Sequence, residues 1–163
     1  ETAIAWQAAL LQTEAPSAIV LSRQNLPLVT PPPSDMNSAS KGAYVLKGDE
    51  AASITLVATG SELQLAVSAC DLLANSGISA RVVSMPCWEE LETQPEAYRR
   101  SVLPDRRSTL SIEAGTTLGW SRYAAETIGL DHFGASAPAD TLMREFGFTA
   151  EHIAARAKAM LGR

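Results

Sequence analysis

Apolar, β-rich runs alternate with helical patterns along most of this chain, and this alternation restricts the fold more than any other feature. Residues 53–58, SITLVA, form a continuous apolar run of the kind found in strands that are buried on both faces. Comparable runs follow at Ala80–Met85 and Ser108–Glu113, and Tyr44–Leu46 is a shorter one. Strands that alternate with helices are typical of parallel sheets with right-handed crossovers. The sequence therefore predicts an α/β fold with a mostly parallel (mixed) open sheet flanked by helices.

The helices are predicted from apolar spacing and from residues that begin or end them. Thr59 and Glu62 have the spacing of a capping box at the start of one helix, and Gly77 is suited to the left-handed residue that follows it. Further helices are predicted at Glu1–Gln12, Trp88–Leu91, Pro95–Val102, Trp120–Thr127, Pro138–Glu145 and Ala150–Leu161. Two short strands are also predicted, at Ala18–Leu21 and Asp131–Phe133.

Three consecutive prolines, Pro31–Pro33, divide the chain. Such a run cannot enter a helix or a central strand, and it forms a stiff extended spacer. We therefore expect a domain boundary between about residues 28 and 42. Because a helix is already under way at Glu1, without a preceding cap, we also expect that the chain was cut from a longer one.

Composition excludes several function classes. With 46% hydrophobic and 19% charged residues, the chain has enough apolar material for a core. Its net charge of −5 argues against nucleic acid and anionic membranes as partners, because phosphates attract an excess of Lys and Arg. We expect no membrane span and no secretory signal. The two cysteines, Cys70 and Cys87, lack metal-ligand spacing and are expected to be buried free thiols in the cytoplasm.

A polar group follows the apolar run in SAIVLSRQNLPLV, residues 17–29. Ligands of open α/β sheets bind beyond the carboxyl ends of strands, so Arg23 is a candidate anion ligand there. Its guanidinium matches phosphate oxygens in pairs, and Gln24 and Asn25 could orient it or add amide donors. The residues alone favour the alternative, an arginine paired with a neighbouring carboxylate.

Two other strand ends carry polar groups. Thr59, Gly60 and Ser61 open a helix, where free N–H groups favour an anion, although an ordinary capped helix has the same pattern. Glu113 could act as an acid or base, but a structural hydrogen bond is the favoured interpretation because no histidine is near it in sequence.

The remaining candidates are assigned structural roles. His132 and His152 lack metal-ligand spacing, and the pairs 99–100 and 106–107 are interpreted as a solvated basic face. Core or interface roles are expected for Trp88, Trp120 and Tyr123. The residues by themselves do not provide a complete active site.

Seven segments, in this order along the chain, resemble the C-terminal part of transketolases. They are AIVLSRQNLP (18–27), GAYVLK (42–47), VATGSE (57–62), ARVVSMP (80–86), YRRSVLP (98–104), IEAG (112–115) and FGASAPADTLMREFGF (133–148). No single segment is specific, but the combination covers nearly the whole chain.

The resemblance implies a thiamine-diphosphate enzyme that moves a two-carbon ketol unit from a ketose phosphate to an aldose phosphate, in the pentose phosphate pathway or carbon fixation. It implies a homodimer whose upstream domains hold the cofactor and a divalent metal, Mg²⁺ or Ca²⁺. Residues 1–30 would be the tail of the middle, pyrimidine-binding domain, residues 31–41 a linker, and residues 42–163 the C-terminal domain, which serves dimer contact and scaffolding.

The resemblance also assigns site residues. Arg23 would grip the phosphate of the sugar substrate, with Gln24 and Asn25 behind it, and Thr59–Ser61 would be a candidate regulatory anion site. We expect the chain alone to bind no cofactor and to be inactive. A stand-alone, non-catalytic regulatory or binding module of the same fold is the alternative.

Overall fold

The computed structural model describes residues 1–29 and 39–162, and its centre is one five-stranded sheet. Most of the predicted proline-rich linker, including Pro31–Pro33, lies outside the described residues. The strands are β1 (Tyr44–Lys47), β2 (Ile54–Ala58), β3 (Ala80–Ser84), β4 (Thr109–Ile112) and β5 (Glu126–Ile128). Their order across the sheet is β1-β3-β2-β4-β5. Only the β1–β3 pair is antiparallel, so the predicted mostly parallel, mixed sheet is confirmed.

The helices cover both faces of the sheet. They are α1 (Thr2–Leu11), α2 (Leu63–Asn75), α3 (Trp88–Thr93), α4 (Glu96–Val102), α5 (Ala139–Glu145) and α6 (Ala150–Met160). On one face, α2 and α6 share an apolar cluster that includes Leu73 and Ile153. On the other face, Leu91 of α3 and Val102 of α4 pack with Trp120. The central strands β2, β3 and β4 are consequently buried along their whole length, as their apolar sequences require.

One charged side chain is buried within this sheet. Arg81 of β3 is 1% exposed, and burial lowers its pKa. Its Nε donates to Thr55 Oγ1 at 3.0 Å, and its two terminal nitrogens donate to the carbonyls of Ser101 and Val102. These carbonyls end α4, so the arginine ties the end of that helix to β2 and β3.

Three predicted elements are wrong. Ala18–Leu21 forms no strand and pairs with none of the described strands, and Val20 is 94% exposed. The predicted helix 120–127 is replaced by a 3₁₀ turn at Trp120–Arg122 and then by β5, because Trp120 inserts into the core and β5 pairs with β4. Residues 131–133 form a loop, in which the Asp131 carboxylate accepts hydrogen bonds from the loop after β4.

The helix α1 lies at the predicted position, but it buries none of its residues. Its first turn contacts the rest of the fold: Tyr44 Oη donates to Glu1 Oε1 at 2.8 Å, and Ile4 packs beside Tyr44. Farther along, Leu10 and Leu11 are 77% and 73% exposed. None of the described helices has the length and apolar character that crossing a membrane would require.

Candidate site at the carboxyl edge of the sheet

The carboxyl ends of β2 and β4 lie side by side, because the strands are parallel and Ala58 pairs with Ile112. The residues that follow, Thr59–Glu62 and Glu113–Gly115, therefore begin at neighbouring points on one edge of the sheet. This is the edge at which open α/β sheets bind ligands. Two of the strand-end groups selected from the sequence are thus brought together.

The helix start at this edge is not capped as predicted. Thr59 occupies the position before the first turn, but its side chain makes no capping hydrogen bond. Ser61 Oγ instead donates to Glu62 Oε1 at 2.5 Å, and Glu62 is buried, with 3% exposure. An anion bound at Thr59–Ser61 would meet this carboxylate, so the local charge opposes the regulatory anion site expected there.

Glu62 and Glu113 lie near enough to interact electrostatically. The pKa of Glu113 is raised to about 7, first by partial burial and then by the negative charge of Glu62. No described residue donates a hydrogen bond to the carboxyl group of Glu113. The structural hydrogen bond that the sequence favoured for this side chain is therefore not found in the described part of the chain. Glu113 therefore takes up a proton near neutral pH, whereas an ordinary glutamate is ionised there.

The segment that carries Arg23 lies against the same edge. Ser22 Oγ would be 3.8 Å from a Cβ atom built on Gly60, and Val29 packs against the core. Arg23 itself is exposed, and its guanidinium has no hydrogen bond or ion pair with any described residue. The neighbouring carboxylate that the residues alone favoured is therefore absent from the described part of the chain. Gln24 and Asn25 are also exposed and do not hydrogen-bond to Arg23 there.

The loops after β4 and β5 are joined by one carboxylate that the sequence did not single out. Asp131 Oδ1 accepts from the backbone N–H of Thr117 at 2.8 Å, and Asp131 Oδ2 accepts from Thr117 Oγ1 at 2.6 Å. Thr116 Oγ1 adds a third bond at 3.1 Å. These donors lower the pKa of Asp131. These hydrogen bonds hold the loop after β4 against the loop after β5. The sequence could have indicated them only if the two loops were already known to be neighbours.

The other candidates take structural positions. His132 packs its ring against Phe146 at 5.1 Å between centroids, and the backbone N–H of His152 donates to Thr149 Oγ1. Cys70 is buried, while Cys87 is only partly buried, and both thiols are free. The aromatic side chains Trp88, Trp120 and Tyr123 pack edge to face in the core, as predicted. No group of three or more potential metal ligands occurs among the described residues.

Comparisons with known proteins match nearly the whole chain to one family. The model of the transketolase-like C-terminal domain matches residues 42–149. A transketolase of Halalkalibacterium halodurans is 47% identical over 99% of this chain, and one of Geobacillus stearothermophilus is 44% identical over all of it. The chain spans about a quarter of the length of these curated relatives.

Solved structures agree with the sequence comparisons. A Pichia stipitis transketolase in complex with sedoheptulose 7-phosphate superposes with a TM-score of 0.92, at 42% identity, over 99% of this chain and 24% of the other. The transketolase of Leishmania mexicana gives a TM-score of 0.91 at 36% identity, over the same shares of the two chains.

Proposed function

Because this chain belongs to the transketolase family, we propose that it forms the C-terminal part of a thiamine-diphosphate-dependent transferase. The reaction is the transfer of a two-carbon ketol unit from a ketose phosphate to an aldose phosphate. The observation that carries the proposal is similarity to transketolases along 99% of the chain, which spans a quarter of their length. The enzyme would be a cytoplasmic homodimer, and the two free cysteines are compatible with a reducing compartment.

The chain would contribute two units to this enzyme. Residues 1–30 would complete the middle, pyrimidine-binding domain, residues 31–41 would be the linker, and residues 42–163 would be the C-terminal domain. The exposed apolar side chains of the first segment, among them Trp6, Val20 and Leu28, support this division, because they would be covered by the rest of the middle domain. The C-terminal domain would serve mainly as a scaffold and a dimer contact.

The described residues do not fit a divalent metal, since no three potential metal ligands lie together among them. We therefore assign thiamine diphosphate and its divalent metal, Mg²⁺ or Ca²⁺, to the upstream domains, and we route no catalytic step through this chain. A titration of this chain with thiamine diphosphate and Mg²⁺ tests the assignment. Tight, magnesium-dependent binding would contradict it and would favour a self-contained module.

Arg23 would bind the phosphate of the sugar substrate. Its guanidinium is exposed beside the carboxyl edge and has no partner among the described residues, so its donors remain available to an oxyanion. Three of the related Pichia stipitis structures are complexes with sugar phosphates, namely xylulose 5-phosphate, sedoheptulose 7-phosphate and fructose 6-phosphate. Gln24 and Asn25 would support the arginine once substrate is present.

The Arg23→Ala variant of the complete enzyme tests this role. Loss of charge-assisted hydrogen bonds should cost about 1–3 kcal/mol in kcat/KM for ribose 5-phosphate, or about 5- to 150-fold. Unphosphorylated ribose should react at nearly the same rate with both proteins, because it offers no anion. The matched control is Arg144→Ala, which removes an exposed arginine from the end of α5. An equal loss for both substrates would show that Arg23 has another role.

A further inference from the structure

Four arginines converge on a cavity of about 270 Å³ on the α3–α4 face of the sheet. They come from three separate segments, and two glutamates share the lining. The six charged residues are Arg99, Arg100, Arg106, Arg122, Glu92 and Glu96. Four positive and two negative charges leave a formal charge of +2 in a chain whose overall charge is −5. The sequence predicted a solvated basic face for 99–100 and 106–107 but did not predict that Arg122 would join them.

Glu92 holds two of these arginines in place. Its Oε2 lies 2.8 Å from Nη1 of Arg99 and 2.8 Å from Nη2 of Arg122. Its Oε1 accepts a hydrogen bond of 2.9 Å from the hydroxyl of Tyr123. Burial and Glu92 raise the pKa of Tyr123 to about 12, so this hydroxyl stays a donor at neutral pH. One wall of the cavity is therefore fixed before any ligand arrives.

The cavity has more donors than acceptors. Within the described chain, Arg99 Nε is the one buried side-chain nitrogen or oxygen without a hydrogen-bond partner. Among the described residues, Arg106 makes one side-chain hydrogen bond, from Nη1 to the carbonyl of Ser121 at 3.1 Å. The other N–H groups of Arg106 have no acceptor among the described residues. A guanidinium has five donors in a planar fork, so the unfilled and exposed donors of Arg106 can take further oxygen ligands, whereas Arg99 Nε is shielded from the solvent.

From this excess of charge and donors, we propose that the cavity binds a small dianionic oxyanion of the phosphate class, either free or as a monoester. A dianion would balance the formal charge of +2, and its oxygens would accept from the unfilled donors. The cavity is slightly smaller than the roughly 300–1,000 Å³ of most small-molecule sites, which suits a compact anion. Arg106 would bind it with its unfilled donors, and Arg100, whose Nη2 is paired with Glu96 Oε1 at 2.5 Å, would add its remaining N–H groups.

This site is separate from Arg23. Arg106 precedes β4, whereas the Arg23 segment lies beside Gly60, which follows β2 at the opposite edge of the parallel sheet. An anion in the cavity is consequently not the substrate phosphate assigned to Arg23. The two proposals rest on different residues and can fail independently.

Arginine footprinting with phenylglyoxal tests the site on the complete protein. Inorganic phosphate and glycerol 3-phosphate are the two probes, and chloride at equal ionic strength controls for screening. The dissociation constant should be on the order of 1 mM, as expected for a small, partly exposed site. At a few times that concentration, modification of Arg100 and Arg106 should slow about three- to fivefold, because only the unoccupied cavity reacts.

Arg144 is the internal control, since it is exposed at the end of α5 and outside the cavity. Its modification rate should not change. Protection by either probe supports the proposal, and the probe that protects identifies the form of the anion. Unchanged rates at Arg100 and Arg106 with both probes would overturn it, as would equal protection of Arg144.

Two variants make the result specific. Arg106→Ala should abolish the protection of Arg100, and circular dichroism shows whether the variant is folded. Arg23→Ala should leave the protection of Arg100 and Arg106 intact. If protection instead disappears in Arg23→Ala and persists in Arg106→Ala, the anion binds elsewhere and the proposal is wrong.

Discussion

Replacing Glu113 with glutamine should stabilise the fold at alkaline pH. The carboxyl group of Glu113 has its pKa raised to about 7, from an ordinary value of 4.5, by burial and by the charge of Glu62. A rise of this size corresponds to about 3 kcal/mol between the neutral and charged forms. Because the side chain is partly exposed, solvent screening should reduce the measurable effect to about 1–2 kcal/mol.

The sign of the pH dependence follows from proton binding. Between about pH 4.5 and pH 7 the native state holds the Glu113 proton more tightly than the unfolded chain does. The contribution of the neutral acid to stability is therefore fully present below about pH 4.5 and is lost as the pH rises through about 7. Glutamine removes this loss because it cannot ionise.

Urea unfolding followed by tryptophan fluorescence measures the effect. At about pH 8, Glu113→Gln should be more stable than the parent by about 1–2 kcal/mol, and the difference should shrink toward zero near pH 4.5. Glu145→Gln, at an exposed position at the end of α5, is the matched control and should leave the pH dependence unchanged. Parallel pH profiles for the Glu113→Gln variant and the parent would refute the assignment of a raised pKa to this carboxyl.

Two further predictions concern stability. Arg81→Met should lower the free energy of unfolding by about 3 kcal/mol, because three hydrogen bonds from a buried cation are lost while its desolvation cost is recovered. The control, Arg144→Met, should change the free energy of unfolding by less than about 0.5 kcal/mol. Equal effects of the two substitutions would contradict the role of Arg81. Gly42→Ala should cost more than about 3 kcal/mol, because the new Cβ would lie 2.2 Å from the backbone nitrogen of Leu91. Gly77→Ala also has a positive φ but meets nothing within 4 Å, so about 1 kcal/mol is expected there, and similar thermal stabilities for the two variants would exclude the steric explanation.

Four of the five strands of the central sheet could be predicted from sequence, because each of the four carries its own signal. β2 and β4 are short apolar runs whose burial on both faces leaves little choice of local structure. β5 has no such signal: its three residues, Glu126–Ile128, form a strand because β4 is available to pair with them. The same dependence explains the error at Ala18–Leu21, which has a strand-like sequence but no partner strand in the described chain.

The site residues divide along the same line. Arg23 and Glu113 could be selected in advance, because a polar side chain at the end of an apolar run can be recognised in the sequence itself. The significance of Glu62 could not, since its charge matters only after the parallel pairing of β2 and β4 brings it toward Glu113. The arginine cavity was even harder to predict from sequence, because Arg122 and Arg99 are linked only by their shared ion pairs with Glu92, which lies on a different helix.

The first 29 residues show how far this reasoning extends. A helix of ten residues is marginal by itself in water, because nucleation costs more than so few hydrogen bonds return. In α1 the first turn is held by Glu1 and Ile4, while Leu10 and Leu11 stay mostly exposed. Sequence periodicity predicted this helix correctly, and it also predicted an apolar face. An apolar face stabilises a helix only when it packs against another surface. If the longer architecture proposed above supplies that surface, the apolar residues of α1 and the exposed guanidinium of Arg23 would have one explanation, since both would belong to the end of the middle domain and would contact the rest of it.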